Sequence, residues 1–269
     1  MPRIEVAGRE THFERAGSGE PLLLIQGMSG THLSWGEPFQ GTLAESFDVV
    51  AFDNRGIGLS APVDAPFTIA EMAEDTVALL DALDLETAHV VGISMGGMIA
   101  QELALAEPGR LRSLTLGCTY CGGEGSQLMP QKNLEKLAGA MSSGDRDKAI
   151  RASYEVNLSP AFRADDDNYA AFYKMATDVP AAKRTIELQA QAIFGHDTSA
   201  RLGEISTPTL IVHGTVDGVL PFPNGELIAS LMPTARFEVL EDVGHMFWWE
   251  QPQRSAELIR EHALAAGRA

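Results

Sequence analysis

The chain has 269 residues and a mass of 28.9 kDa, with 45% hydrophobic and 21% charged residues, a balance that excludes a disordered or fibrous chain and can bury a core without disulfides or metals. Its formal net charge of −17 repels phosphate backbones and anionic headgroups, so neither nucleic acid nor a membrane is an expected partner. Two cysteines, Cys118 and Cys121, exclude a disulfide scaffold.

In chain order, residues 3–8 and 11–16 alternate and predict a hairpin around Ala7-Gly8-Arg9-Glu10. After Gly17-Ser18-Gly19 comes the continuous apolar run Pro21 to Gln26, the pattern of a strand buried on both faces. Similar runs follow at Phe47–Phe52, Ala88–Ile93, Leu111–Leu116, Thr207–Val212 and Ala235–Leu240. Helical patterns lie between them. Thr68-Ile-Ala-Glu71 reads as a capping box ahead of a helix over Met72–Leu83; Met95–Ala106 and Pro252–Ala266 are two more. Strand and helix in alternation predict a parallel sheet covered by helices. Residues 120–205 break that rhythm with four helical patterns, 131–142, 145–157, 165–177 and 181–194, punctuated by Pro130, Pro160 and Pro180. Because strand patterning resumes at Thr207, the expected organisation is a core of 1–120 and 206–269 with a helical cap, 121–205. A second independent domain is the alternative. The terminus Met1-Pro-Arg-Ile-Glu-Val6 lacks the basic start and apolar stretch of a signal peptide, and no run of ~18 apolar residues occurs, so a cytoplasmic location is expected.

The sharpest chemical signal is Gly92-Ile93-Ser94-Met95-Gly96, a Gly-x-Ser-x-Gly nucleophile elbow. It sits between a predicted buried strand and a predicted helix, which is the context the elbow requires. A Cβ at either glycine would clash where the backbone turns back on itself, and the helix N-terminus offers N–H groups to a developing oxyanion. A serine hydroxyl needs a base. His213-Gly-Thr-Val-Asp217 places an acid just beyond a strand, and Glu241-Asp242-Val243-Gly244-His245 places a histidine beyond the last one. In this reading His245 takes the Ser94 proton and Asp217 holds its tautomer. His213 is read as a packed or supporting group, and Asp242 and Asp53 are rival acids. His12, His32, His89, His196 and His262 are read as surface or core residues.

Over essentially its whole length the chain resembles an α/β-hydrolase-fold enzyme. Asp53-Asn-Arg-Gly-Ile-Gly-Leu-Ser60 is similar to that superfamily's Asp-x-Arg-Gly-x-Gly-x-Ser loop, and the elbow, acid and base loops stand in its order. The resemblance implies a mostly parallel eight-stranded sheet with helices on both faces and a cap insertion. It also implies an oxyanion hole made by the N–H of Met95 and an N–H of the loop Gln26-Gly27-Met28-Ser29-Gly30, best supplied by Met28. Gln26 departs from the His-Gly of many relatives. The segment Gly27–Trp35 and the run Met72–Leu105 further resemble 3-oxoadipate enol-lactonases. A carboxylate-bearing substrate of that kind needs a cation, for which the cap offers Arg163, Lys174 and Arg184. Gly27, Trp35, Met246 and Phe247 are the expected pocket residues, with Met95 beside them.

Cys118-Thr-Tyr-Cys121 cannot fill a tetrahedral zinc site alone and reads as two ordinary thiols near the pocket mouth. Neither Gly56-Ile-Gly58 nor Gly122-Gly-Glu-Gly125 is a phosphate loop, since no Gly-Lys-Ser/Thr follows. No metal and no cofactor are expected. The expected function is acyl-enzyme hydrolysis of a small carboxylic ester or lactone. The rivals are C–C bond hydrolysis of a ring-cleavage product on the same scaffold and, from another class, a slow-turnover ligand receptor.

Overall fold

The computed structural model describes residues 2–179 and 181–267; Pro180, expected to separate two cap helices, lies outside them. The predicted hairpin is β1 (Arg3–Val6) and β2 (Arg9–Gly17), paired antiparallel from Arg3↔His12 to Val6↔Arg9. The continuous apolar runs become β3 (Glu20–Ile25), β4 (Phe47–Phe52), β5 (Ala88–Ile93), β6 (Leu111–Gly117), β7 (Thr209–Gly214) and β8 (Arg236–Leu240). They form one 8-stranded sheet of order β1-β2-β4-β3-β5-β6-β7-β8. β2 runs antiparallel to β4, and every pairing from β4 through β8 is parallel.

Burial on both faces explains the unbroken apolar pattern. Leu22, Leu23, Leu24 and Ile25 are all fully buried, with Leu23 and Ile25 in one core cluster and Leu22 and Leu24 in the other. Successive strand residues point to opposite faces, so a strand sandwiched between helices must be apolar throughout. Between β3 and β4 lies α1 (Glu37–Ala44); α2 (Ile69–Ala82) and α3 (Met95–Ala106) flank β5. The capping box at α2 is formed: Glu71 N–H donates to Thr68 Oγ1 at 3.1 Å and Thr68 N–H to Glu71 Oε2 at 2.7 Å.

Four helices follow β6 before the chain re-enters the sheet at β7: α4 (Gln131–Ser142), α5 (Arg146–Asn157), α6 (Asp166–Asp178) and α7 (Lys183–Phe194). The remaining helices are α8 (Pro223–Leu231), α9 (Phe247–Glu250) and α10 (Pro252–Ala266). The hydrophobic pattern did not announce α1, α8 or α9. α8 begins Pro-Asn-Gly, α9 is one turn of Phe-Trp-Trp-Glu, and α1 holds a proline and a glycine within eight residues, so each carries turn chemistry or too little length for a period. Among the described residues no helix is long and apolar enough to cross a membrane.

Candidate active site

β5 ends at Ile93 and α3 begins at Met95, leaving Ser94 alone at the turn with φ 54° and ψ −123°. That left-handed conformation costs a non-glycine residue of order 1–3 kcal/mol, and persists only where the surroundings impose it. They do so here. A Cβ on Gly92 would lie 2.2 Å from Gly96 O, and one on Gly96 would lie 2.0 Å from Ile25 O, so helix and strand approach as only glycine permits. Ser94 N–H donates to Gly117 O at 2.9 Å, and Thr119 Oγ1 donates to Ser94 O at 2.7 Å. Ser94 is half-buried in a stretch that is otherwise buried from Ala88 to Gln101.

Asp217 and His245 stand just beyond β7 and β8. His245 Nδ1 donates to Asp217 Oδ2 at 2.7 Å, which leaves Nε2 as the ring's lone-pair nitrogen. The Asp217 carboxylate is fully enclosed: Oδ1 accepts the N–H groups of Val219 (2.8 Å) and Leu220 (2.9 Å), and His213 Nε2 lies 3.2 Å from Oδ2. Burial pushes the Asp217 pKa up, but His245 and His213 beside it outweigh that and hold it well below the ordinary range. The rival acids are placed elsewhere. Asp53 receives the His32 ring nitrogen, and Asp242 is exposed with its N–H on Thr215 Oγ1. No hydrogen bond joins Ser94 Oγ to His245 among the described residues. Both flank Cys118, however: Ser94 is bonded to the preceding Gly117, and Cys118 has its sulfur within 4.8 Å of ligand atoms of Asp217 and His245. Burial first, then Asp217, push the Cys118 thiol far up, so it stays protonated.

The loop after β3 lies against the serine. A Cβ on Gly27 would sit 3.0 Å from Ser94 Cβ, so only a bare backbone fits there without displacement. Gln26 Oε1 accepts Gly27 N–H at 3.0 Å, and Gln189 Oε1, from α7, accepts Ser29 N–H at 2.8 Å. The amide between them, Met28 N–H, takes no partner among the described residues, and neither does Met95 N–H at the head of α3. Thus Gln26, which breaks the family pattern, pins the loop through its side chain.

Several contributors were not legible from the sequence. Glu250 on α9 accepts Ser159 N–H (2.8 Å), Ser159 O–H (2.5 Å) and Gly244 N–H (3.0 Å), tying the four-helix insertion to the residue before His245. Met246 N–H donates to Asn157 O at 3.2 Å across the same seam. Burial raises the Glu250 pKa, against the opposing hydrogen bonds. The only hint was position, a glutamate five residues after the candidate base.

The expected pocket residues divide. Met28 is exposed, while Met95 and Met246 are buried. Trp35 is fully buried, stacked on Phe39 and tilted against Trp248; Phe247 packs on Trp248 and would be struck by a Cβ on Gly117. Of the expected cations, Arg163 donates to Ser159 O, whereas Lys174 pairs with Asp178 and Arg184 with Glu187 on solvated helix faces. Cys118 and Cys121 are both free and buried.

Residues 20–252 match the family described as the alpha/beta hydrolase fold. The chain is 27% identical over 240 residues to 3-oxoadipate enol-lactonase 1 of Acinetobacter baylyi, covering 89% of this chain and 87% of that protein. It is 27% identical over 279 residues to 2-hydroxymuconate semialdehyde hydrolase of Pseudomonas sp. strain CF600, covering 98% and 93%. Among solved structures, Est816, described as an N-acyl homoserine lactone degrading enzyme, is similar at 30% identity with a TM-score of 0.81, covering 97% of this chain and 99% of that one. The chain belongs to the alpha/beta hydrolase fold family and is a hydrolase.

Proposed function

We propose that the chain hydrolyses a small carboxylic ester or lactone through an acyl-enzyme on Ser94, with His245 as base and Asp217 as its orienting carboxylate. His245 Nε2 takes the Ser94 proton as Oγ attacks the carbonyl, then returns it to the leaving alkoxide; a water activated the same way releases the acid. The Ser94–His245 hydrogen bond forms as substrate seals the site, since such bonds often tighten only in the complex. Met28 and Met95 N–H groups receive the oxyanion, each contributing about 3 kcal/mol to the transition state. Gly27 and Met246 border the acyl pocket, with Trp35 and Phe247 behind them. Residues 121–205 act as the cap that encloses a small-molecule substrate.

One observation carries this reading. Ser94 is held half-exposed at φ 54° against the bare Gly27 backbone, with the Met28 and Met95 N–H groups unpartnered among the described residues. Its N–H bonds the residue before Cys118, whose sulfur neighbours the 2.7 Å His245–Asp217 pair. The likeness to an enol-lactonase and to an acyl-homoserine lactone degrading enzyme supports the ester or lactone class. The likeness to a semialdehyde hydrolase favours a second reading, C–C bond hydrolysis, in which a carbanion is protonated instead of an alkoxide. A panel of p-nitrophenyl acetate, an enol-lactone and a vinylogous diketone separates them. Ester or lactone turnover that collapses in Ser94→Ala supports the proposal. Turnover of the diketone alone supports the second reading, and equal slow rates in wild type and Ser94→Ala refute both.

A further inference from the structure

We propose that His12, Glu14 and His32 form a site for one divalent transition-metal cation of the zinc class, separate from the Ser94–Asp217–His245 rim. The period of two along β2 puts His12 and Glu14 on one face, and His32 opens the short 3-10 helix His32–Trp35 that follows the Gly27 loop. The two imidazoles meet with ring centroids 4.5 Å apart at 65°. One ligand atom from each of the three residues lies within 4.8 Å of the other two.

The hydrogen bonds around the rings fix which nitrogens are available. His12 Nδ1 donates to Pro2 O at 3.0 Å; a carbonyl only accepts, so the proton is on Nδ1. His12 Nε2 is left buried with no hydrogen-bond partner, on a side chain with no exposed surface. His32 Nδ1 donates to Asp53 Oδ1 at 2.9 Å, leaving Nε2 as its lone-pair nitrogen. Asp53 is itself fixed by the N–H groups of His32 (2.7 Å) and Leu59 (2.8 Å). Each ring thus has one nitrogen on a carbonyl or a carboxylate and the other without a hydrogen-bond partner among the described residues, the arrangement metal-bound histidines adopt.

Spacing and donor type agree with a small borderline cation. Metal–ligand bonds of ~2.0–2.2 Å on a tetrahedron put neighbouring ligand atoms about 3.4 Å apart. The His12 Nε2–Glu14 Oε1 separation is 3.4 Å. Two imidazoles and one carboxylate suit zinc, cobalt or nickel over magnesium or calcium, which prefer all-oxygen shells. The Glu14 side chain is 46% exposed, giving the cation a route in and room for a water as fourth ligand. A cation here would tie β2 to the segment carrying the Gly27 loop.

The test is calorimetric titration of the metal-stripped full chain with Zn2+, alongside Co2+ absorption. The expected result is one equivalent of Zn2+ bound and visible Co2+ bands of a four-coordinate site. Glu14→Gln, at a part-exposed position that leaves folding intact, should weaken binding at least tenfold, comparable to losing an outer partner in known sites. His32→Ala should abolish it, and Cys118→Ala should leave it unchanged. The proposal is overturned if the intact chain binds no stoichiometric Zn2+. It is equally overturned if Glu14→Gln and His32→Ala bind as wild type, or if Cys118→Ala removes the binding and so moves it to the Cys118–Asp217–His245 group.

Discussion

Replacing Glu250 by alanine removes one acceptor from three donors at once. Gly244 N–H (3.0 Å), Ser159 N–H (2.8 Å) and Ser159 O–H (2.5 Å) all lose their partner. A buried donor left unmade costs about 1–3 kcal/mol. Against this stands the cost of burying the carboxylate, visible in its raised pKa, which the alanine no longer bears. The net loss is about 3 kcal/mol, or roughly 6–12 °C in Tm for a chain of this size. The catalytic effect is separate. Gly244 precedes His245, so a freed loop lets the imidazole wander by about 1 Å, which costs on the order of 100-fold in kcat. Glu250→Gln keeps a carbonyl oxygen for the two N–H groups and lets the Ser159 hydroxyl reverse, so it should restore kcat to within about threefold. The assay is steady-state hydrolysis of p-nitrophenyl acetate, run well below each variant's melting temperature, with melting curves in parallel. A folded Glu250→Ala enzyme with kcat within twofold of wild type would refute the coupling between this carboxylate and His245.

Two further outcomes follow from the same geometry. Asp217→Asn preserves the acceptor for Val219 and Leu220 N–H but presents an NH2 group to His245 Nδ1, forcing the wrong tautomer. A loss of roughly 10⁴ in kcat with an intact fold is expected by steady-state kinetics, and a loss under tenfold contradicts the assignment. For pH, burial lowers the His196 pKa from 6.5 to about 4. Below pH 6.5 the unfolded chain binds a proton that the folded chain refuses, so stability falls as pH drops from 6.5 towards 4, by about 3 kcal/mol in all. Melting curves across that window should flatten in His196→Gln, and an unchanged slope contradicts the linkage.

The sequence spoke most clearly where one physical cause set the pattern. Leu22–Ile25 and Ala88–Ile93 are buried on both faces, so their apolar runs were readable as sheet strands, and Met95–Ala106 agrees with α3 to the residue. Ser94, Asp217 and His245 were conspicuous because each follows a strand. What stayed hidden was long-range pairing. Ser159 meets Glu250 across 91 residues and Ser29 meets Gln189 across 160, and no local period encodes either contact. The same holds for His12 and His32, each an unremarkable histidine until β2 and the Gly27 loop bring the rings together. Gln26 is a subtler case. The departure from the family's His-Gly is visible in the sequence, but not its consequence: the amide oxygen caps Gly27 N–H and leaves Met28 N–H as the next free donor among the described residues.

As the proposed nucleophile, Ser94 should react with an active-site-directed electrophile. The most direct measurement is intact-mass and peptide-level spectrometry after treatment with a fluorophosphonate, which phosphonylates an activated serine. One equivalent of adduct is expected on the peptide carrying Ser94, with none in Ser94→Ala and little in His245→Ala. An adduct on any other residue, or full ester turnover surviving in Ser94→Ala, would contradict it.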